Sequence, residues 1–355
     1  MENMNMILNQ IPSPTWNWLH MNETQVDNVA VGSQGRILSD IPGGVSVKEE
    51  NKAGLNDKTA LGEDMDRLIV SSGCKVLSIR REKEASDSGE PVRLTFNYEA
   101  DKAAANAVEI YVEEGAELTV IMNFESTRDA AATAAVQTRY HVAKDARLTL
   151  VQVEKLGDKF TFLNDIGGEV DELGSFTLTQ LVLSGKNTYQ GAYNNLTGKK
   201  ASLQTEIGYM VLSDQVLDMN YVAYHTGKKT KCVMNADGVL RGNAKKVFRG
   251  TIDFRRGCAG AKGDELENVL LMDDDVINQT IPVILCDEED VAGEHGSTIG
   301  KLSNDVLFYM NAHGISQTEA EKIMTMSKIN RVSSLIPDEK LKTRIAEYIE
   351  EAFNE

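Results

Sequence analysis

The sequence predicts a mainly β chain: a right-handed parallel β-helix core, flanked by an irregular and helical N-terminal cap and a helical C-terminal region. Three observations predict it. Similar segments recur at a nearly constant spacing. Each carries short strands in which apolar and polar residues alternate. The composition suits β-structure with many tight turns, since Gly is frequent at 28, Pro scarce at 6 and aromatic residues only 6%. The expected boundaries are residues 1–90 for the cap, 91–300 for the core and 301–355 for the helical region.

The cap gives mixed signals. Its first residues, around Trp16 and Trp18, read as a short helical start followed by Gly- and Asp-rich connections. Asp64-Met-Asp-Arg-Leu-Ile-Val70 reads as a short helix, and residues 82–90 as a charged loop. The core is read from its repeats. Val112-Glu-Glu-Gly-Ala-Glu-Leu-Thr-Val120 recurs as Val142-Ala-Lys-Asp-Ala-Arg-Leu-Thr-Leu150, and again as Val170-Asp-Glu-Leu-Gly-Ser-Phe-Thr-Leu178. Thr197-Gly-Lys-Lys recurs as Thr226-Gly-Lys-Lys at almost the same offset. Each unit opens on a turn and continues into an alternating strand, which buries one face. Such a unit cannot bury that face alone, but it can do so by stacking on its neighbours. Leucine-rich, hexapeptide and propeller repeats do not fit the spacing or the pattern.

The C-terminal region changes period. Ser316-Gln-Thr-Glu319 is a capping box, and the helix behind it places Ala320, Ile323 and Met324 on one face. Pro337 suits the first turn of a second helix. Its apolar stripe is Leu341, Ile345, Tyr348, Ile349 and Ala352. That stripe either packs against the body or offers a docking surface to a partner.

Composition narrows the function. The formal charge of −17 repels phosphate backbones, so nucleic acid is not expected as a partner. No cationic and apolar leader opens the sequence, and no apolar run reaches the roughly 20 residues that cross a bilayer. Cys74, Cys232, Cys258 and Cys286 are scattered and form no CxxC pair. A cytoplasmic setting with free thiols is therefore expected. No phosphate-cradling loop is present, so any use of ATP falls to a partner.

The candidate chemistry lies in Pro282-Val-Ile-Leu-Cys-Asp-Glu-Glu-Asp-Val-Ala-Gly-Glu-His-Gly-Ser-Thr-Ile-Gly300. A neutral imidazole such as His295 is a common ligand for iron. Cys232, Cys258 and Cys286 are spaced at close to one coil, so stacking could align their thiols. Thiolates are preferred ligands of iron–sulfur clusters. Cys286 is the favoured candidate because it precedes the His295 segment. The alternative is that these cysteines are small buried apolar residues.

The order of an acidic run, His295-Gly-Ser-Thr298, a spacer and Leu307-Phe-Tyr-Met…Gly-Ile315 resembles the C-terminal signature of the SufB/SufD family. Val247-Phe-Arg-Gly-Thr-Ile252 is similar to its Phe-x-Gly-x-Ile motif, and Leu270-Leu-Met and Pro282 stand where the family has its Leu-Leu and Pro. The likeness covers roughly residues 90–325. It implies an iron–sulfur cluster assembly scaffold rather than an enzyme, working with a SufB-type paralogue or a second copy and a SufC-type ABC ATPase. The cluster would be held transiently at a subunit interface and passed to recipient apoproteins. The resemblance implies a cluster-assembly role for His295 and ATPase docking through Leu307, Phe308, Tyr309, Ile315, Glu319 and Ala320. The SufB branch has Cys where this chain has Leu266 and Glu where it has Gly296, and both departures point to the SufD-like branch. His313 replaces the family's usual Arg. A carbohydrate-active β-helix enzyme and a purely structural solenoid are the alternatives. The former is usually secreted and needs a carboxylate or basic cluster along a groove.

Overall fold

The computed structural model describes residues 3–30, 32–83 and 89–354. The interior of the charged loop predicted at 82–90 thus lies outside the described residues. Strands β1 (Met4–Leu8) and β2 (Thr24–Val29) form an antiparallel pair, followed by β3 (Arg36–Asp40), β4 (Val45–Glu50), α1 (Glu63–Ser72) and β5 (Val76–Arg81). The first residues are therefore a strand, and the expected short helical start is a single 3-10 turn at Asn17–Leu19, beside Trp16. The alternating burial of Met6 and Leu8 shows why: a strand can lay both against the body, where α1 also packs.

A regular series follows. It comprises β6 (Val92–Tyr98), β7 (Ala104–Val112), β8 (Glu117–Ser126), β9 (Thr133–Val142), β10 (Arg147–Lys155), β11 (Thr161–Val170) and β12 (Ser175–Val182). It continues with β13 (Asn187–Leu196), β14 (Ser202–Val211), β15 (Val216–His225), β16 (Lys231–Leu240), β17 (Lys245–Phe254), β18 (Ala261–Leu271), β19 (Ile277–Cys286) and β20 (Val291–Gly300). Even strands from β6 to β20, with β3 at the end, form one nine-stranded sheet. Odd strands from β5 to β19, with β4 at the end, form the other. Pairing within the series is parallel, so the chain makes a parallel β-solenoid of about eight coils. Each coil contributes one strand to each sheet.

The predicted repeats are coils in register. Val112 pairs with Val142, and Val142 with Val170. Leu196 pairs with His225, just ahead of the two Thr-Gly-Lys-Lys turns. The coil length is not constant. It is shortest where Thr161 pairs with Asn187 and longest where Lys245 pairs with Ile277. The tight turns from odd to even strands also stack. One residue in each turn takes a left-handed backbone: Gly115, Asp145, Leu173, Lys200 and Lys229, with φ between 56° and 72°. Their amides donate from coil to coil, Gly115 to Lys144 O, Asp145 to Glu172 O and Leu173 to Lys199 O. Rings stack inside the coils, with Phe96 and Phe124 centroids 4.8 Å apart and Phe124 and Phe162 5.0 Å apart.

Each outer face is covered over part of its length. The N-terminal segment lies on the odd-strand sheet, fixed by the buried Arg249 guanidinium, which donates to Asp218 at 2.5 Å and to Met21 O at 2.8 Å. Three helices follow β20: α2 (Asn304–Ala312), α3 (Gln317–Ser333) and α4 (Glu339–Asn354). The Ser316 hydroxyl accepts the Glu319 amide at 3.2 Å, as its capping role predicts. Asp338 caps α4 by accepting the Leu341 amide at 3.0 Å, which leaves Pro337 just before the cap. The α4 stripe packs on the even-strand sheet, where Leu341, Ile345, Ile349 and Phe353 meet Ile121, Val151 and Leu181. Of the two readings of that stripe, packing against the body is the one observed. In α3 the buried seam runs through Ala320, Thr325, Ile329 and Val332, whereas Ile323 is 41% exposed. Among the described residues no helix is long and apolar enough to cross a membrane.

Candidate functional site

The two ends of the solenoid differ. At the N-terminal end the antiparallel strands β3 and β4 terminate the sheets. At the other end the last strands, β19 and β20, have no further strand beside them among the described residues. Edge strands template pairing with another chain unless covered. These edges also carry apolar side chains, with Ile277 49% and Ile299 42% exposed.

His295 lies on β20, paired in register with Glu265 on β18. Glu265 faces the interior of the solenoid and is 4% exposed, while its neighbour Leu266 faces out at 44%. Residues in register share a face, so His295 points along the inner face of the last coil, at its open mouth, and is exposed there. It lines a cavity of about 240 Å³ together with Glu265, Asn278, Thr280, Pro282 and Ser297. Beneath lies a buried polar cluster. Lys246 pairs with Glu267, and both are almost wholly buried. Thr280 donates to Glu267 at 2.6 Å and accepts from Lys246 at 3.1 Å. Tyr209 donates to the same carboxylate at 3.2 Å.

Glu265 has no comparable partner. Burial pushes its carboxyl up to about 8, the Glu267 charge adds to the rise, and Lys246 opposes it. Its Oε2 has no hydrogen-bond partner, nor has Oδ1 of Asn278. Gly250 leaves room for the carboxyl in this position, since a Cβ there would meet Glu265 Cδ at 2.4 Å and the side chain would have to shift. That gives a physical reason for the Gly of the Phe248-Arg-Gly250-Thr-Ile252 segment. Glu265 and Asn278 escaped the sequence reading. The coil spacing held a signal for the first of them, because Glu265 sits one coil before His295 in the register.

The cysteines do not align. Cys232 is buried on β16, where its lateral neighbours are Leu203 and Gly263. Cys258 is buried in the turn between β17 and β18. Cys286 ends β19, beside Phe254. The local coils are longer than the cysteine spacing. One coil after Cys232 comes Gly263, so Cys258 falls short of that column. One coil before Cys286 stands Phe254, so Cys258 misses that column too. The Cys232 thiol also lies 3.3 Å from the His225 ring, and burial pushes it up to about 12. Such a thiol is not a ready thiolate. Cys286 is exposed but does not line the His295 cavity. Among the described residues no three His, Cys, Asp or Glu side chains converge to hold a metal.

The predicted docking residues differ in exposure. Phe308 and Tyr309 on α2 are 77% and 65% exposed, and no α2 residue is buried. Leu307 and Ile315 are half-buried, and Glu319 is exposed. Ala320 is buried in the α3 seam and presents no surface. His313 ends α2, with Nδ1 2.8 Å from Tyr309 O.

Residues 95–328 match the family described as SUF system FeS cluster assembly, SufBD core domain. The chain belongs to the SufBD family. It is 23% identical over 265 residues to the iron–sulfur cluster assembly protein SufD of Bacillus subtilis, covering 73% of this chain and 60% of that one. It is 25% identical over 238 residues to SufD of Escherichia coli, covering 65% and 55%. A SufBD family protein of Staphylococcus epidermidis is 26% identical over 212 residues, 58% and 44% of the two chains. The chain thus spans roughly half of its relatives' length. Within the family it is SufD-like. Leu266 and Gly296, its two departures from the SufB pattern, are in-register neighbours on β18 and β20.

Proposed function

We propose that the chain is a SufD-like scaffold subunit of a cytoplasmic iron–sulfur assembly complex. Its open end pairs with a SufB-type subunit or a second copy, and α2 docks a SufC-type ATPase. The observation that carries this reading is the end formed by β19 and β20, two strands of 10 residues with no strand on their outer side among the described residues, with His295 at its inner rim. A partner solenoid ending in two strands would satisfy both edges at once.

In this reading iron and sulfide are cargo. His295 presents an imidazole to the interface, and the partner supplies the thiolate that this chain lacks at Leu266. ATP hydrolysis in the docked subunits shifts the α2 regions and opens the interface to incoming iron and sulfur. That coupling requires the ATP-bound partner to contact the open and closed arrangements differently. Finished clusters then pass to apoproteins.

Co-expression with a SufB-type and a SufC-type partner tests the pairing. Ile277→Lys combined with Ile299→Lys places charge on these edges. It should release the paralogue while the ATPase remains bound through α2. Retention of the paralogue by this variant would place the interface elsewhere.

A further inference from the structure

We propose that the mouth of the solenoid is a divalent-cation seat complete enough to load without a partner, with Glu265, Asn278 and His295 as its ligands. The proposal deepens the reading above only in naming ferrous iron as the physiological ion. The seat itself stands on the geometry of this chain.

Three observations converge on it. Glu265 Oε2 and Asn278 Oδ1 are buried oxygens with no hydrogen-bond partner, and both residues line the cavity that His295 lines. Orphaned buried oxygens are costly, and a bound ion or water satisfies them. The residues come from three strands, β18, β19 and β20, so they surround the opening. The neighbouring buried cation, Lys246, is already held by Glu267, Thr280 and the Gln279 carbonyl, and leaves Glu265 Oε2 without a partner.

The donor set selects the ligand. A glutamate oxygen, an amide oxygen and an imidazole, with no thiolate, suit a borderline divalent ion such as Fe²⁺, Mn²⁺ or Co²⁺, not a soft monovalent one. The cavity of about 240 Å³ leaves room for water molecules to complete the shell. Gly250 keeps the Glu265 carboxyl in place, because any larger residue would displace it.

The test is anaerobic Co²⁺ titration of the tag-free chain, read by visible absorption and by calorimetry. The wild type should bind one Co²⁺ per chain. Glu265→Gln and Asn278→Ala should each weaken binding at least tenfold, and His295→Ala should remove the visible band. Leu266→Ala, which changes the outer face of the same strand, should leave the affinity unchanged. Far-UV circular dichroism of each variant reports that the solenoid is intact. Absence of a stoichiometric site in the wild type would overturn the proposal. So would unaltered affinity in both Glu265→Gln and Asn278→Ala. A chain that binds Co²⁺ as described but supports no cluster assembly with its partners would sink the scaffold reading and leave the seat standing.

Discussion

Glu154 offers a direct test of how the solenoid interior is built. It lies on β10 with its side chain fully buried. Oε1 accepts from Asn164 Nδ2 at 2.8 Å, while Oε2 has no partner. Burial pushes this carboxyl from 4.5 to about 8, and the Asn164 contact only partly offsets the rise. The folded chain therefore keeps a proton that the unfolded chain has lost across that pH window. A folded pKa raised above the unfolded one gives stability that is fully present below the unfolded value and disappears as pH rises to the folded value. One pKa unit is about 1.4 kcal/mol, so this carboxyl costs roughly 3 kcal/mol at neutral pH and about 5 kcal/mol above pH 8. Glu154→Gln keeps the shape and the acceptor for Asn164 but cannot ionise. Urea denaturation of both proteins should give nearly equal stabilities at pH 4.5, with the variant ahead by a margin that grows to about 5 kcal/mol at pH 9. Glu265 and Asp165, also raised by burial, titrate in both proteins and drop out of the difference. A pH-independent difference, or a wild type more stable at pH 9, would refute the reasoning.

The other predictions concern the helices and turns. Ile349 is fully buried between α4 and the even-strand sheet, so Ile349→Ala should cost about 2–5 kcal/mol in denaturant. Leu173 holds φ 59° at an exposed turn position, a conformation that costs an L-residue about 1–2 kcal/mol. Leu173→Gly should therefore raise the denaturation midpoint. Phe308→Ser with Tyr309→Ser should weaken ATPase capture by roughly a thousandfold, at about 2 kcal/mol for each exposed ring. Thermal stability should be unchanged, because α2 buries nothing.

The solenoid was legible because its spacing is written in residues that each perform the same task in every coil. Gly115 and Asp145 tolerate the left-handed turn, and Leu118 and Leu148 point into one interior column. The helix over residues 317–333 was legible from its cap. What was not legible depends on contacts far apart in the chain. The stripe on α4 reads the same whether it meets this sheet or a partner. The Cys spacing looked like a coil because it approximates the mean period, whereas the local coils are longer. Glu265 and Asn278 carry no local motif. They matter only because the coiling brings Glu265 beneath His295 and Asn278 across the mouth from it. Arg249 is similar, a residue within a family-like motif that proves to anchor the N-terminal segment through Asp218.

The most direct test of the scaffold reading is anaerobic cluster reconstitution in the complex of this chain with its SufB-type and SufC-type partners. Iron and sulfide bound per complex would be measured alongside the absorption of the cluster. The account predicts that His295→Ala leaves the complex assembled but sharply reduces the rate and yield of cluster formation. Wild-type rate and yield in that variant would contradict it.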